Sequence, residues 1–568
     1  MAAVTFTVAD HLLARLKQLG VTDVFQIPGD YVRHFTQALE RFPGIATIGT
    51  ANELDAAYAA DAYARTRGLG AVSLQYGVST FSALNAVAGA YVERSPVIVI
   101  SAAPGADART ITDMYGVTYH HSTGDLHADQ KVFENVTVAA ITLSTNAGAA
   151  EAIDAAIVEA LTHSRPAYIA CYAEVWGQPC ARPPKAPLKA RELTGPPDAL
   201  ENAVDQAWGM IAAAKKPVIL AGEELLRFGL SGLLQKIIDA SGFVYTTTSL
   251  GKTVLDEGGP KFLGTYSDEA SIPSVIDAVL GADCVLCLGT FITDDYLIFI
   301  EKQYASMVLA TAQGVRAGYF KYPDVVMKEF MQALLKKFRA DKAYPVKAVA
   351  PPQPVSPEPW KRNSDPKFDK QPEVITFNRF FQHSMAFLAD NGHLDDIVMP
   401  LGVSSAMYVA TNAHGMRQGS FIASAAWQCV GFETGAASGA QLGSRKRAWA
   451  VAGDGGVMMV CQAISTLAKY KLNSVIFVMS NQVYAIEQVY VDMSAFQTGK
   501  FDTFDVLPQW DYLALAKAYG AEGFRLETVS ELKAKLPQIW KVKRRPVLVE
   551  VVIPATDLPG QMKRLGSE

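Results

Sequence analysis

The chain has 568 residues, half of them apolar and 19% charged, too much apolar material for one core and enough for about three globular domains. The net charge of −5, with no run of Lys or Arg, excludes a nucleic-acid partner from expectation. Six cysteines in a chain of this length make no disulfide framework, so reduced thiols and a cytoplasmic address are expected.

At the N-terminus, MAAVTFTVADHLLARLKQLG lacks both a basic segment and a continuous apolar run, so no secretory leader is expected. Ala71 to Val92 carries no charge but contains Ser, Thr, Gln, Asn and Gly, and reads as buried interior with no membrane partner. SPVIVIS (95–101), KPVILAG (216–222), DCVLCLG (283–289) and SVIFVMS (474–480) are short, continuously apolar strands separated by helix-like segments. That alternation indicates parallel sheets covered on both faces. Two proline-rich, aperiodic stretches, 182–197 and 349–372, read as linkers. The fold class is therefore α/β, with three doubly wound parallel-sheet domains at 1–181, 198–345 and 373–568.

Several motifs fall short. GKT at 251–253 ends like a phosphate loop, but Thr246 stands where its first glycine belongs. Cys284 and Cys287 form a CxxC inside an apolar strand with no second Cys/His pair, which reads as core rather than a metal or redox site. No GxGxxG follows a strand. The stretch from Gly453 to Gln482 is more informative. RAWAVAG (447–453) reads as a strand, Val457 to Tyr470 as a helix and SVIFVMS as the next strand. A right-handed crossover makes the two strands parallel neighbours. Asp454 and Asn481 then both follow a strand at the carboxyl edge, where α/β ligands bind. Gly455 and Gly456 allow close backbone approach at a helix start, which favours phosphate. A carboxylate and an amide oxygen there are hard ligands suited to Mg²⁺ carrying a diphosphate. Asp-Gly and Asn after strands are also ordinary turn residues.

GDG followed about 27 residues later by Asn is the diphosphate motif of thiamine-diphosphate enzymes, although their usual Asn-Asn reads Ser480-Asn481 here. FQIPGDY (25–31), ANELDAAYAADAYAR (51–65), YHHSTGD (119–125) and SNQVYAIEQ (480–488) lie in the same order as matching segments of one branch. The whole chain resembles a 2-keto acid decarboxylase of the pyruvate/indolepyruvate/phenylpyruvate type, a lyase using thiamine diphosphate and Mg²⁺.

The resemblance assigns roles. Glu53 would hydrogen-bond N1′ of the aminopyrimidine, where an acid can shift the ring's protonation and an amide cannot. Asp30, His120 and His121 would relay protons after CO₂ leaves, and Glu487 would contact the reacting carboxylate. AAWQCVGFETGAA (425–437) would supply Gln428, through its carbonyl, to the 4′-amino group, and Val430 as the wedge beneath the rings. Val483 would give the third protein ligand of the metal through its main-chain carbonyl. These residues divide between the first and third domains, so the resemblance implies a homodimer as the minimum active unit and a homotetramer as a common assembly. The central domain reads as structural or regulatory. Asp295, and SSAMYV (404–409), stand where pyruvate-specific relatives carry Phe, which suggests room for an aromatic or branched 2-keto acid. Carboligation to an acyloin and a catalytically weak binding relative stay open as alternatives.

Overall fold

The computed structural model describes residues 5–341, 360 and 363–566. The first sheet contains β1 (Asp23–Gln26), β2 (Ala46–Gly49), β3 (Gly70–Ser73), β4 (Val97–Ala103), β5 (Ala139–Leu143) and β6 (Ala167–Tyr172). Its order is β2-β1-β3-β4-β6-β5, all neighbours parallel. The central sheet holds β7 (Pro217–Ala221), β8 (Val244–Thr247), β9 (Phe262–Thr265), β10 (Cys284–Leu288), β11 (Met307–Thr311), β12 (Gly314–Ala317) and β13 (Phe320–Tyr322), ordered β13-β12-β11-β10-β7-β8-β9. The third sheet holds β14 (Ile397–Leu401), β15 (Phe421–Ala423), β16 (Arg447–Gly453), β17 (Val475–Ser480), β18 (Glu522–Leu526) and β19 (Val547–Val552), ordered β15-β14-β16-β17-β19-β18 and again parallel throughout.

The central sheet departs from the all-parallel expectation at one edge, where β11, β12 and β13 pair antiparallel. Their connections are too short for a crossover helix, so they close as hairpins. Strand order reverses between β1 and β3 and again between β14 and β16. Each reversal opens a crevice beyond the carboxyl ends of its strands; Asp30 follows β1 at the first and Asp454 follows β16 at the second.

The first and third domains share one apolar core, which runs from Val8 through Trp176 and continues through Phe432, Ala450 and Val478. The helix Glu53–Arg67, capped by the Asn52 side chain on Asp55 N–H, is buried from Asp55 to Arg65. That explains its alanines: it packs against the helix Phe432–Ser444, where a Cβ on Gly439 would stand 1.8 Å from the Ala59 carbonyl oxygen. Within this contact the buried Arg65 donates to Asp61 at 2.8 Å, to Glu93 at 2.7 Å and to the Ala423 carbonyl at 3.0 Å. Such a pair holds only because every group is bonded.

Between β16 and β17 the expected single helix is two, Asp454–Val460 and Ala463–Lys469. The break is a tightened turn in which Ile464 N–H donates to Cys461 O and Ser465 N–H to Gln462 O. Cys284 and Cys287 are free and buried. Three apart on β10, they face opposite sides of the sheet, Cys284 in one apolar cluster and Cys287 in another. Of the second expected linker, residues 349–359, 361 and 362 lie outside the described residues, as do 342–345 at the expected end of the central domain and 1–4 of the N-terminal stretch. Residues 182–196 form no helix or strand, and Pro197 opens the helix Pro197–Ala213. Among the described residues no helix is long and apolar enough to cross a membrane.

Candidate active site

Asp454 opens its helix directly after β16, and Asn481 follows β17, the parallel neighbour. The Asp454 carboxylate is 3% exposed. It accepts Gln482 N–H at 2.6 Å and Gly455 N–H at 3.0 Å and makes no ion pair among the described residues. Burial pushes it up to about 6 despite those N–H groups. One cavity brings Asp454, Gly455, Gly456, Asn481, Val483 and Glu487 together, with Val430 on its wall and Ser404 and Ser405 beside it. The segment that carries Val483 is held in place by Tyr484 N–H on Asp505 O and Leu507 N–H on Gln482 O, both 2.9 Å. Glu487 lies exposed in the first turn of the helix Ala485–Val491. A buried carboxylate lacking a cationic partner, beside a buried amide, fits a hard divalent cation that brings phosphate oxygens.

Gln428 does not line that cavity. It sits at φ +57 and its side-chain Nε2 donates to Asp295 Oδ2 of the central domain at 2.9 Å. The same loop is held from the first domain, where Glu93 Oε1 accepts Ala426 N–H and Trp427 N–H, both at 2.9 Å. Sequence reasoning missed Glu93, whose segment VERSP carries no local signal for a partner more than three hundred residues away. It also missed Glu433, buried in the first turn of the helix Phe432–Ser444. Glu433 Oε1 lies 2.4 Å from where a Cβ on Gly456 would stand, and burial pushes its carboxyl up to about 8.

The first domain gathers a second group. Asp30, His120 and His121 lie exposed with their ligand atoms all within 4.8 Å of one another. His120 Nε2 is 2.9 Å from Asp30 Oδ2, and the His120 ring stacks on Tyr31 at 5.0 Å. Burial pushes Asp30 up, but the bond to His120 and its charge outweigh that and hold the carboxyl below its ordinary value. Gln75, also missed, donates to Asp30 Oδ1 at 2.5 Å. His121 sits at φ +66, and its carbonyl oxygen would lie 2.1 Å from a Cβ on Gly77. Gly77 itself is at φ +68, so only glycine lets the histidine loop close over β3. Glu53 accepts Ser79 Oγ at 2.9 Å. None of Asp30, Glu53, His120 and His121 lines the Asp454 cavity.

Three family models match, one on each sheet. They are the thiamine pyrophosphate enzyme N-terminal TPP binding domain over 6–132, central domain over 204–316 and C-terminal TPP binding domain over 403–551. An alpha-keto-acid decarboxylase of Mycobacterium leprae is 30% identical, the match covering 99% of this chain and 95% of that protein. The chain belongs to the thiamine-diphosphate-dependent 2-keto acid decarboxylases. A pyruvate decarboxylase of Aspergillus fumigatus is 29% identical over 98% of this chain and 95% of its own. Pyruvate decarboxylase 1 of Zea mays is 28% identical over 99% and 90%. In this decarboxylase the residues around Asp454 line one cavity, and Asp30, His120 and His121 cluster outside that lining.

Proposed function

We propose that the chain splits a 2-keto acid with an aromatic or branched side chain into an aldehyde and CO₂, with thiamine diphosphate held through Mg²⁺. The observation that carries this is the convergence of Asp454, Asn481 and Glu487 on one cavity in a member of this family. Asp454 and Asn481 would bind the metal with their side-chain oxygens and Val483 with its main-chain carbonyl, while Gly455 and Gly456 bring backbone close to the diphosphate. Gln428 offers its carbonyl to the 4′-amino group and Val430 wedges the rings. When bound, thiamine diphosphate supplies the electron sink for the pair left by CO₂. Glu53 holds a proton against the pyrimidine N1′. Asp30, His120 and His121 move protons to and from the departing product, and Glu487 faces the substrate carboxylate. Ser404 and Ser405 beside the cavity support a wide substrate.

The two groups of residues stand apart within one chain, which supports a homodimer in which each site takes its Glu53 and His pair from the other copy, with a homotetramer as the full assembly. Large apolar side chains left exposed next to both groups, Val78 at 53%, Trp427 at 40% and Met459 at 58%, fit such a face. Domain limits at 1–181, 198–345 and 373–568 and a cytoplasmic address belong to the same reading, the latter supported by six free cysteines.

Glu53→Gln is the test. It keeps the hydrogen bond to Ser79 but cannot shift a proton, so turnover should fall by about 10²-fold or more. Undiminished turnover would remove Glu53 from the chemistry.

A further inference from the structure

We infer that Asp295 of the central domain is a positioning residue that fixes the backbone of Gln428, and with it the carbonyl presented to the cofactor's aminopyrimidine. The inference rests on the proposed role of Gln428. A residue with a Cβ at φ +57 occupies the left-handed region, which is disfavoured for every residue but glycine and persists where the surroundings over-determine it. The flanking residues are fixed from the first domain and from the loop itself. Ala426 and Trp427 donate to Glu93, and Cys429 N–H donates to Ser424 Oγ at 3.1 Å. Gln428 is held through its side chain, by the 2.9 Å bond from Nε2 to Asp295 Oδ2.

The other end of that bond is rigid. Asp295 lies in the turn Asp294–Tyr296, and its Oδ2 also accepts Thr293 Oγ1 at 3.3 Å. The turn is anchored by Tyr296, buried, whose hydroxyl accepts Ser249 N–H at 3.2 Å and donates to Tyr266 O at 3.3 Å. The central domain, none of whose described residues lines the Asp454 cavity, thus reaches Gln428 through the Asp295 carboxylate. The Gln428 carbonyl shares a planar peptide with Cys429 N–H, so once released from Asp295 it is held only by the bond to Ser424 Oγ. Relaxation of the glutamine towards negative φ then swings that peptide plane and its carbonyl away. A glycine at the same position has no Cβ to relieve and needs no tether.

Binding of thiamine diphosphate and of its analogue with oxygen in place of the 4′-amino group separates these effects, measured by calorimetry on the metal-loaded, cofactor-free protein. Wild type should prefer thiamine diphosphate about tenfold or more, the worth of one buried hydrogen bond. Asp295→Ala should cut that preference to about threefold or less, and Gln428→Leu, which breaks the same bond from the loop side, should do likewise. Asp295→Asn keeps an accepting oxygen and should retain the preference. In Asp295→Ala with Gln428→Gly the preference should return. A wild-type preference in Asp295→Ala and Gln428→Leu, or no recovery in the double variant, overturns the inference while leaving the role of Gln428 standing. No preference in wild type itself overturns the carbonyl's role, and this inference with it.

Discussion

Glu433 is a carboxyl buried against Gly402 and Gly456, and it makes no ion pair among the described residues. Burial raises it from its ordinary 4.5 to about 8, so the folded protein keeps it protonated near neutrality whereas the unfolded chain ionises it. Its contribution to stability is fully present below pH about 4.5 and is lost as pH rises to about 8. Glu433→Gln mimics the protonated acid. The melting temperature of the variant should therefore match wild type at pH 4, below the ordinary value, and exceed it at pH 8. A gain independent of pH would show that Glu433 is ionised. Glu433 was illegible in the sequence because a Glu two residues past a helix-capping glycine reads as a dipole partner. Its burial comes from Gly402 and Gly456, which approach from two other elements. Asp454 and Asn481 were legible because a single βαβ crossover fixes their relation. Gln428 and Asp295, 133 positions apart, have no such local link.

At the scale of elements, the contact between the helices Glu53–Arg67 and Phe432–Ser444 ties the first domain to the third. Gly435, Gly439 and Gly443 recur every four residues along one side of the second helix and meet Tyr58, the Ala59 carbonyl and Thr66. A Cβ at Gly439 has nowhere to go, because its obstacle is backbone. Gly439→Val should force the helices apart and cost about 3 kcal/mol or more, read as a lower midpoint in urea unfolding. An unchanged midpoint would mean the helices do not pack this closely. The glycine spacing is visible in the sequence, but nothing local names the partner helix. Strand runs and their parallel pairing were legible from continuous apolar segments. The antiparallel edge of the central sheet was not, because β12 and β13 are short and half polar, with GVRA and FKY in place of an apolar run.

For the whole molecule, the division of the site makes a sharp expectation. If each site combines Asp454 of one copy with Glu53 of the partner subunit, a mixture of Glu53→Gln and Asp454→Ala chains forms heterodimers. In these, one site carries both defects and the other carries none. Co-expression of the two inactive variants should therefore restore about half of the wild-type activity per heterodimer. No restoration, with heterodimers present, would place each site within a single chain. The order of segments along the sequence showed that these residues divide between the first and third domains. Sharing of a site between two copies came only from the resemblance, because nothing in one chain's sequence names a contact with a second copy.

The central claim is the reaction. The most direct measurement adds Mg²⁺ and thiamine diphosphate to the cofactor-free protein and follows CO₂ and the organic product from pyruvate, a branched-chain 2-keto acid, phenylpyruvate and indolepyruvate. An aldehyde and CO₂ should appear in equal amounts, dependent on both additions and fastest with a substrate larger than pyruvate. An acyloin in place of the aldehyde, or no CO₂ from any of the four while the cofactor binds, would contradict it.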